Sequence, residues 1–195
     1  MNTIDVMVAE HKYILRMLKV IRSASFQILK GKEINYDDYG KIIDFIRNYA
    51  DAHHHGKEEK FLFQEMLNNL GEIGKNLIAH GMLVEHDQGR LYIRDLELAL
   101  ERVKSGDEES KLDVIANGVG YASLLERHIK KEDTVVYTFA ARKLSPEVLE
   151  HVDKLSEEFE KKEEQKGLQK KYINLLIELE DKYIGDGSWS VRDGS

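Results

Sequence analysis

The sequence has no cysteine and a single proline in 195 residues. The missing cysteine excludes a disulfide framework, thiolate catalysis, Cys-ligated zinc and any cluster held by Cys sulfur. It fits a reducing compartment, and the chain is expected to be cytoplasmic. Scarce proline excludes a turn-rich β architecture and points to long helices. No apolar run approaches the roughly 20 residues that span a bilayer, so a membrane is not an expected partner. Met1 to Glu10 carry neither a basic stretch nor an apolar segment of the signal-peptide kind. Cationic charge is not in excess. The 29 Lys and Arg against 36 Asp and Glu leave a formal net charge of −7, which argues against nucleic acid as the partner. What the chain does have is eight histidines, and 42% hydrophobic residues that suffice for a sizeable core. With no thiol, any metal bound here is held by nitrogen and oxygen.

Apolar positions recur at three and four along most of the chain, as a buried helical stripe does. The pattern predicts helices over about 3–30, 37–68, 75–104 and 108–142. Gly31, then Asn68-Asn69 with Gly71 and Gly74, then Ser105-Gly106-Asp107 separate them. Ser145-Pro146-Glu147 starts another helix, with Ser as N-cap, the only Pro at the first helical position and an acid in the first turn. Residues 157–171 are mostly charged and read as a solvated face or a bend. Four long helices joined by short turns are antiparallel neighbours. The expected fold is therefore all-α: an up-down-up-down four-helix bundle over 1–143. One or two extra C-terminal helices form an appendage over 144–184, where a homodimer interface is expected, and 185–195 is expected to be a flexible tail.

The histidines follow this plan. His54 is followed four residues later by Glu58, and His128 by Glu132. Four residues turn a helix by about 400°, so each pair shares a face. Depth along the bundle is the stronger test. His11 lies 20 residues before Gly31 and His54 lies 18 after Tyr36; His86 lies 20 before Gly106 and His128 lies 21 after Asp107. At about 1.5 Å per residue the mismatches stay within about one helical turn. Taken singly, each of these histidines reads as an ordinary surface or hydrogen-bonded residue. Together, His11, His54, His86 and His128 fall at one level, one per helix, with Glu58 and Glu132 beside them. That donor set exceeds what one ion takes, and carboxylates bridge two ions. Two metal ions are expected, iron or manganese suiting these donors and zinc less so. A ferritin-like centre needs Glu three before His. Leu83 and Leu125 occupy those places before His86 and His128, which excludes it.

The strings Glu10-His11, His54-His55-Gly56-Lys57-Glu58-Glu59, Glu85-His86-Asp87-Gln88-Gly89-Arg90 and His128-Ile129-Lys130-Lys131-Glu132-Asp133 resemble the hemerythrin-like family, the HHE cation-binding domains, over about residues 3–141. The resemblance implies a four-helix bundle with a non-haem di-iron site, and so puts iron ahead of manganese and zinc. Its ligands would be His11, His54, Glu58, His86, His128 and Glu132, with the two Glu bridging the irons. It implies binding of O2, peroxide or NO in oxidative or nitrosative stress defence or sensing. An alternative reading is a non-catalytic iron- or oxygen-sensing module that signals through its C-terminal helices. No catalytic residue is assigned, and turnover is left open. Two departures matter. Hemerythrins carry two His four apart on helix three, and here Met82 stands four before His86. One iron then keeps an extra open position, which favours redox reaction over reversible O2 carriage, unless His55 or a tyrosine such as Tyr121 fills it. Hemerythrins carry Asp five after the helix-four His, and here Glu132 stands at four with Asp133 at five. Family members that repair iron–sulfur centres carry a Cys-bearing N-terminal segment, which this cysteine-free chain does not match. Lys57, Lys130 and Lys131 are expected to be solvated, and Met7, Met17, Met66 and Met82 to fill the core.

Overall fold

A computed structural model of the chain describes residues 1–185. The expected tail, with Trp189, lies outside the described residues except for Gly185. Six helices follow one another. Helix α1 is Thr3–Leu29. Helix α2 covers 36–69, α3 covers 71–104 and α4 covers 111–143. Helices α5 (Pro146–Gln165) and α6 (Leu168–Tyr183) complete the order. Their starts are written in the sequence. Asn2 accepts from the Asp5 amide, Asn35 from the Asp38 amide, and Ser145 from the Val148 amide with Pro146 at the first helical position. No described helix is long and apolar enough to cross a membrane.

The fold is the expected all-α bundle with extra C-terminal helices, but α3 begins earlier than 75. Gly71, at φ +56°, turns the chain between α2 and α3. Gly74 is already helical, and a Cβ there would stand 2.4 Å from the Met66 carbonyl oxygen. The two glycines therefore let α3 start against the end of α2 rather than extending the turn.

Three of the four bundle helices also contain π turns. These span Ile46–His55 and Glu58–Leu62 in α2, Ile78–Met82 in α3 and Glu132–Val136 in α4. A π turn takes up about one extra residue and shifts the phase of everything after it by about 100°.

Apolar burial forms two clusters. One contains Ile14, Met17, Ile21, Phe45, Tyr49, Leu96 and Leu125. The other contains Met7, Leu62, Phe63, Met66, Met82, Val136 and Tyr137. The expected core methionines are 0–3% exposed. Between the clusters lies a polar layer. Helix α6 packs along α1 and α2, and its Tyr172, Leu176 and Leu179 join the first cluster. Helix α5 lies against α1 and the Glu58–Leu62 turn.

Candidate metal centre

The structure brings all six sequence-predicted ligand residues into the polar layer. His11 comes from α1, His54 and Glu58 from α2, His86 from α3, and His128 and Glu132 from α4. Each is at most 1% exposed. The imidazoles form two edge-on pairs. His11 and His54 bring their Nε2 atoms to 2.8 Å, with ring planes 63° apart. His86 and His128 bring theirs to 3.0 Å at 65°. The two carboxylates connect the pairs. Glu58 Oε2 lies 3.8 Å from His54 Nε2 and 3.5 Å from His86 Nε2. Glu132 lies 3.3 Å from His11 Nε2 and 2.9 Å from His128 Nε2.

The other ring nitrogen of each histidine fixes its proton. His11 Nδ1 bonds Asp133 at 2.8 Å, and His54 Nδ1 bonds Glu10 at 2.7 Å. His86 Nδ1 bonds Glu59 at 2.7 Å, and His128 Nδ1 bonds Glu85 at 2.9 Å. An ionised carboxylate only accepts, so each Nδ1 carries the N–H and each Nε2 turns a lone pair into the layer. Those lone pairs face one another and face carboxylate oxygens. Glu58 Oε2 and both Glu132 oxygens are buried with no hydrogen-bond donor. Buried acceptors without donors are costly, and positive charge among them removes the conflict. The donor set thus fits a cation site.

Without a metal, protons supply that charge. Burial opposes protonation of His11, His86 and His128, but the surrounding carboxylates overcome it and push them up to about 9, 9 and 10. His54, fully buried beside His11, falls to about 4. Burial and the charge of Glu132 push Glu58 up to about 8. Burial would raise Glu132 too, but His128, His11 and His86 hold it well below the usual carboxylate range.

The four carboxylates that tether the imidazoles have a sequence signature that ligand spacing alone does not use. Glu10 and Glu85 each precede a candidate ligand His, and Glu59 and Asp133 each follow a candidate ligand Glu.

Tyr137 is the neighbour of the layer that helical spacing hides. It stands nine residues after His128, about 180° away on a straight wheel. The Glu132–Val136 π turn takes about 100° out of that angle. The ring then stacks on His11 at 5.7 Å, and its hydroxyl donates to Glu58 Oε1 at 2.6 Å. Burial and the Glu58 charge push the phenol well above its usual range, so it keeps its proton.

His55 and Tyr121 take other places. The His55 ring lies parallel to His86, 10° apart at 3.9 Å, with its Nδ1 3.4 Å from Asp51. A metal lies near the plane of the ring that binds it, so an ion on His86 would lie off the plane of His55. His55 offers a nitrogen within 4.8 Å of ligand atoms of His86 and His128, but as a wall of the site. That wall and Tyr121 line a cavity of about 350 Å³ between α2 and α3, with Arg90 and Asp51 at its exposed end. Lys57 is not solvated as the sequence suggested. It is fully buried, paired with Glu10 and with Glu160 of α5. Its partner on α5 is 103 residues away, in the charged stretch read as a solvated face or a bend, and the chain does turn there, at Gly167. His80 and His151 lie exposed, away from the layer.

A helical bundle that buries four imidazoles, two carboxylates between them and four tethering carboxylates in one layer is a cation-binding bundle. The chain belongs to the hemerythrin HHE cation-binding domain family, whose sequence model matches residues 2–140. Helices α5 and α6 lie beyond that match. No curated protein and no solved structure matches the chain.

Proposed function

We propose that the chain is a non-haem di-iron protein that binds O2, peroxide or NO in oxidative or nitrosative stress defence or sensing, in the cytoplasm. The observation that carries this is the pair of edge-on imidazole couples joined by two carboxylates, three of whose four oxygens are buried without a donor. His11 and His54 would hold one ion, His86 and His128 the other, and Glu58 and Glu132 would bridge them. When bound, paired iron ions supply one-electron redox chemistry and open positions for a small oxidant, which zinc does not.

The protein's own groups supply the rest. Asp133, Glu10, Glu59 and Glu85 hold the imidazoles in the tautomer that presents Nε2 inward, and raise their basicity. Tyr137 holds a proton on a hydroxyl oxygen 2.6 Å from Glu58 Oε1, at the edge of the layer. The apolar clusters on either side keep water out. The cavity reaching His55 and His86 gives a small ligand a path from solvent. Met82 in place of a histidine leaves one coordination position for such a ligand.

The test is metal content of the protein purified without chelator, with optical spectra in air, after reduction, and after NO or peroxide. Iron at two per chain with a spectrum that responds to these ligands supports the reading. A stable, reversible oxy spectrum would favour carriage over reaction. Iron-free protein that gains no thermal stability on adding iron would overturn it. The sensing alternative draws support from the contact of α5 with Lys57. A loading-dependent change in oligomer or partner binding without turnover would favour it.

A further inference from the structure

The two halves of the centre begin alike and end differently. In one half, Glu10 holds His54 Nδ1 and is paired with Lys57. In the other, Glu85 holds His128 Nδ1 and is paired with Lys131. Lys131 is 44% exposed, and among the described residues its ion pair is with Glu85 alone. Lys57 is 0% exposed and has a second carboxylate, Glu160 of α5. His53 joins them, with Nε2 3.0 Å from Glu10 and 3.3 Å from Glu160. Phe159 of α5 packs on the His53 ring, centroids 5.4 Å apart. A helix outside the family match thus ends a line of contacts that runs through Lys57 and Glu10 to a candidate ligand.

Charge balance gives this line a consequence. A buried ammonium needs compensation, and two carboxylates share the task here. If Glu160 loses its charge, the attraction of Lys57 falls on Glu10 alone, at close range and away from bulk water. Glu10 then offers less negative charge to the His54 N–H, and the imidazole becomes a weaker donor to a cation. Resting on the metal reading above, we propose that Glu160 is a positioning residue for the metal centre. By sharing Lys57 it sets how firmly Glu10 holds His54, and makes the His11–His54 half unlike the His86–His128 half.

Cobalt(II) titration of the full chain tests this, because cobalt shifts the exchangeable Nδ1–H proton of each ligating histidine into a separate region of the NMR spectrum. Glu160→Gln is expected to move the His54 signal and leave the His128 signal in place. Lys131→Met is expected to do the reverse. Loss of an outer partner of a ligand costs roughly 10–100-fold in metal affinity; Glu10→Gln should fall in that range and Glu160→Gln should give a smaller loss in the same direction. Glu158→Gln, exposed on the same helix, should change neither. The double variant Lys57→Met/Glu160→Gln removes both charges and should return the His54 signal toward wild type; it carries the test if the single variant does not fold. Wild-type protein that loads cobalt while Glu160→Gln leaves the His54 signal and the affinity unchanged overturns this inference alone. So does an equal shift of both halves. Wild-type protein that takes up no cobalt overturns the metal reading and this inference with it.

Discussion

The tethering of each imidazole decides how the site answers to pH. His11, His86 and His128 are raised to about 9, 9 and 10 in the folded, metal-free protein. A raised group lends stability that is complete below its unfolded value, about 6.5 for His, and that is lost as pH rises through the folded value. Glu58, raised to about 8, acts in the same sense, its contribution being lost as pH rises through that value. His54 is lowered to about 4, so its contribution is present above about 6.5 and lost as pH falls toward 4. The expected outcome is that metal-free protein melts at lower temperature as pH rises from 7 to 10. Metal competes with the same protons, so uptake at pH 7 should release protons and affinity should rise with pH. Melting curves and proton release during titration check both, and a chelated protein that gains stability toward pH 10 would contradict the assignment. A second residue-scale prediction concerns Tyr137. Phe at that position leaves Glu58 Oε1 buried without its donor, a loss of about 1–3 kcal/mol. Chemical denaturation of the metal-free variant measures it.

At the scale of elements, the π turns decide which face of a helix meets the layer. Thr134 is exposed within the Glu132–Val136 turn. Deleting it should convert that turn to α geometry and leave Tyr137 facing Glu58, because eight residues of straight helix after His128 reach the same angle as nine through the π turn. The variant should therefore keep the stability that Tyr137→Phe loses, and a loss as large as that of Tyr137→Phe would contradict the role given to the turn. The α2–α3 junction gives a second test. Ala at 74 would put a Cβ 2.4 Å from a backbone oxygen, and such overpacking costs about 1–3 kcal/mol. These elements also separate what the sequence disclosed from what it hid. The helices and the depth of the histidines follow from a period of 3.6 and from counting to the turns. No residue spacing announces a π turn, so Tyr137 falls on the wrong face of a straight wheel. Gly71 and Gly74 mark a break but not which glycine belongs to the next helix. Lys57 reads as solvated because its partner Glu160 comes from a distant helix, and only tertiary packing joins them.

At the scale of the molecule, the centre has an approximate two-fold arrangement. Glu10-His11 precedes His54 by 43 residues from His to His, and Glu85-His86 precedes His128 by 42. His54 with Glu58-Glu59 is matched by His128 with Glu132-Asp133. Phe63 stacks on His86 as Tyr137 stacks on His11, each five residues after a bridging-candidate Glu. The arrangement breaks at three places. Tyr137 has a hydroxyl where Phe63 has none. His55 lies over one half only, where the cavity opens. Helix α5 covers the other half and buries Lys57. One side is thus accessible and the other sealed, as suits a pair of ions of which one meets the ligand. Binding to the folded state alone should stabilise the molecule by about 2.7 kcal/mol when free metal is 100 times its dissociation constant. Ala in place of His54 or His128 should reduce both this gain and the occupancy.

The central claim is that one layer holds two ions. It is tested most directly by counting iron(II) bound per chain under anaerobic conditions, by titration followed by metal analysis of the desalted protein. The account predicts saturation at two, with one equivalent lost on replacing His11 and His54 together, and one on replacing His86 and His128. Saturation at one, or no retained iron, would contradict it.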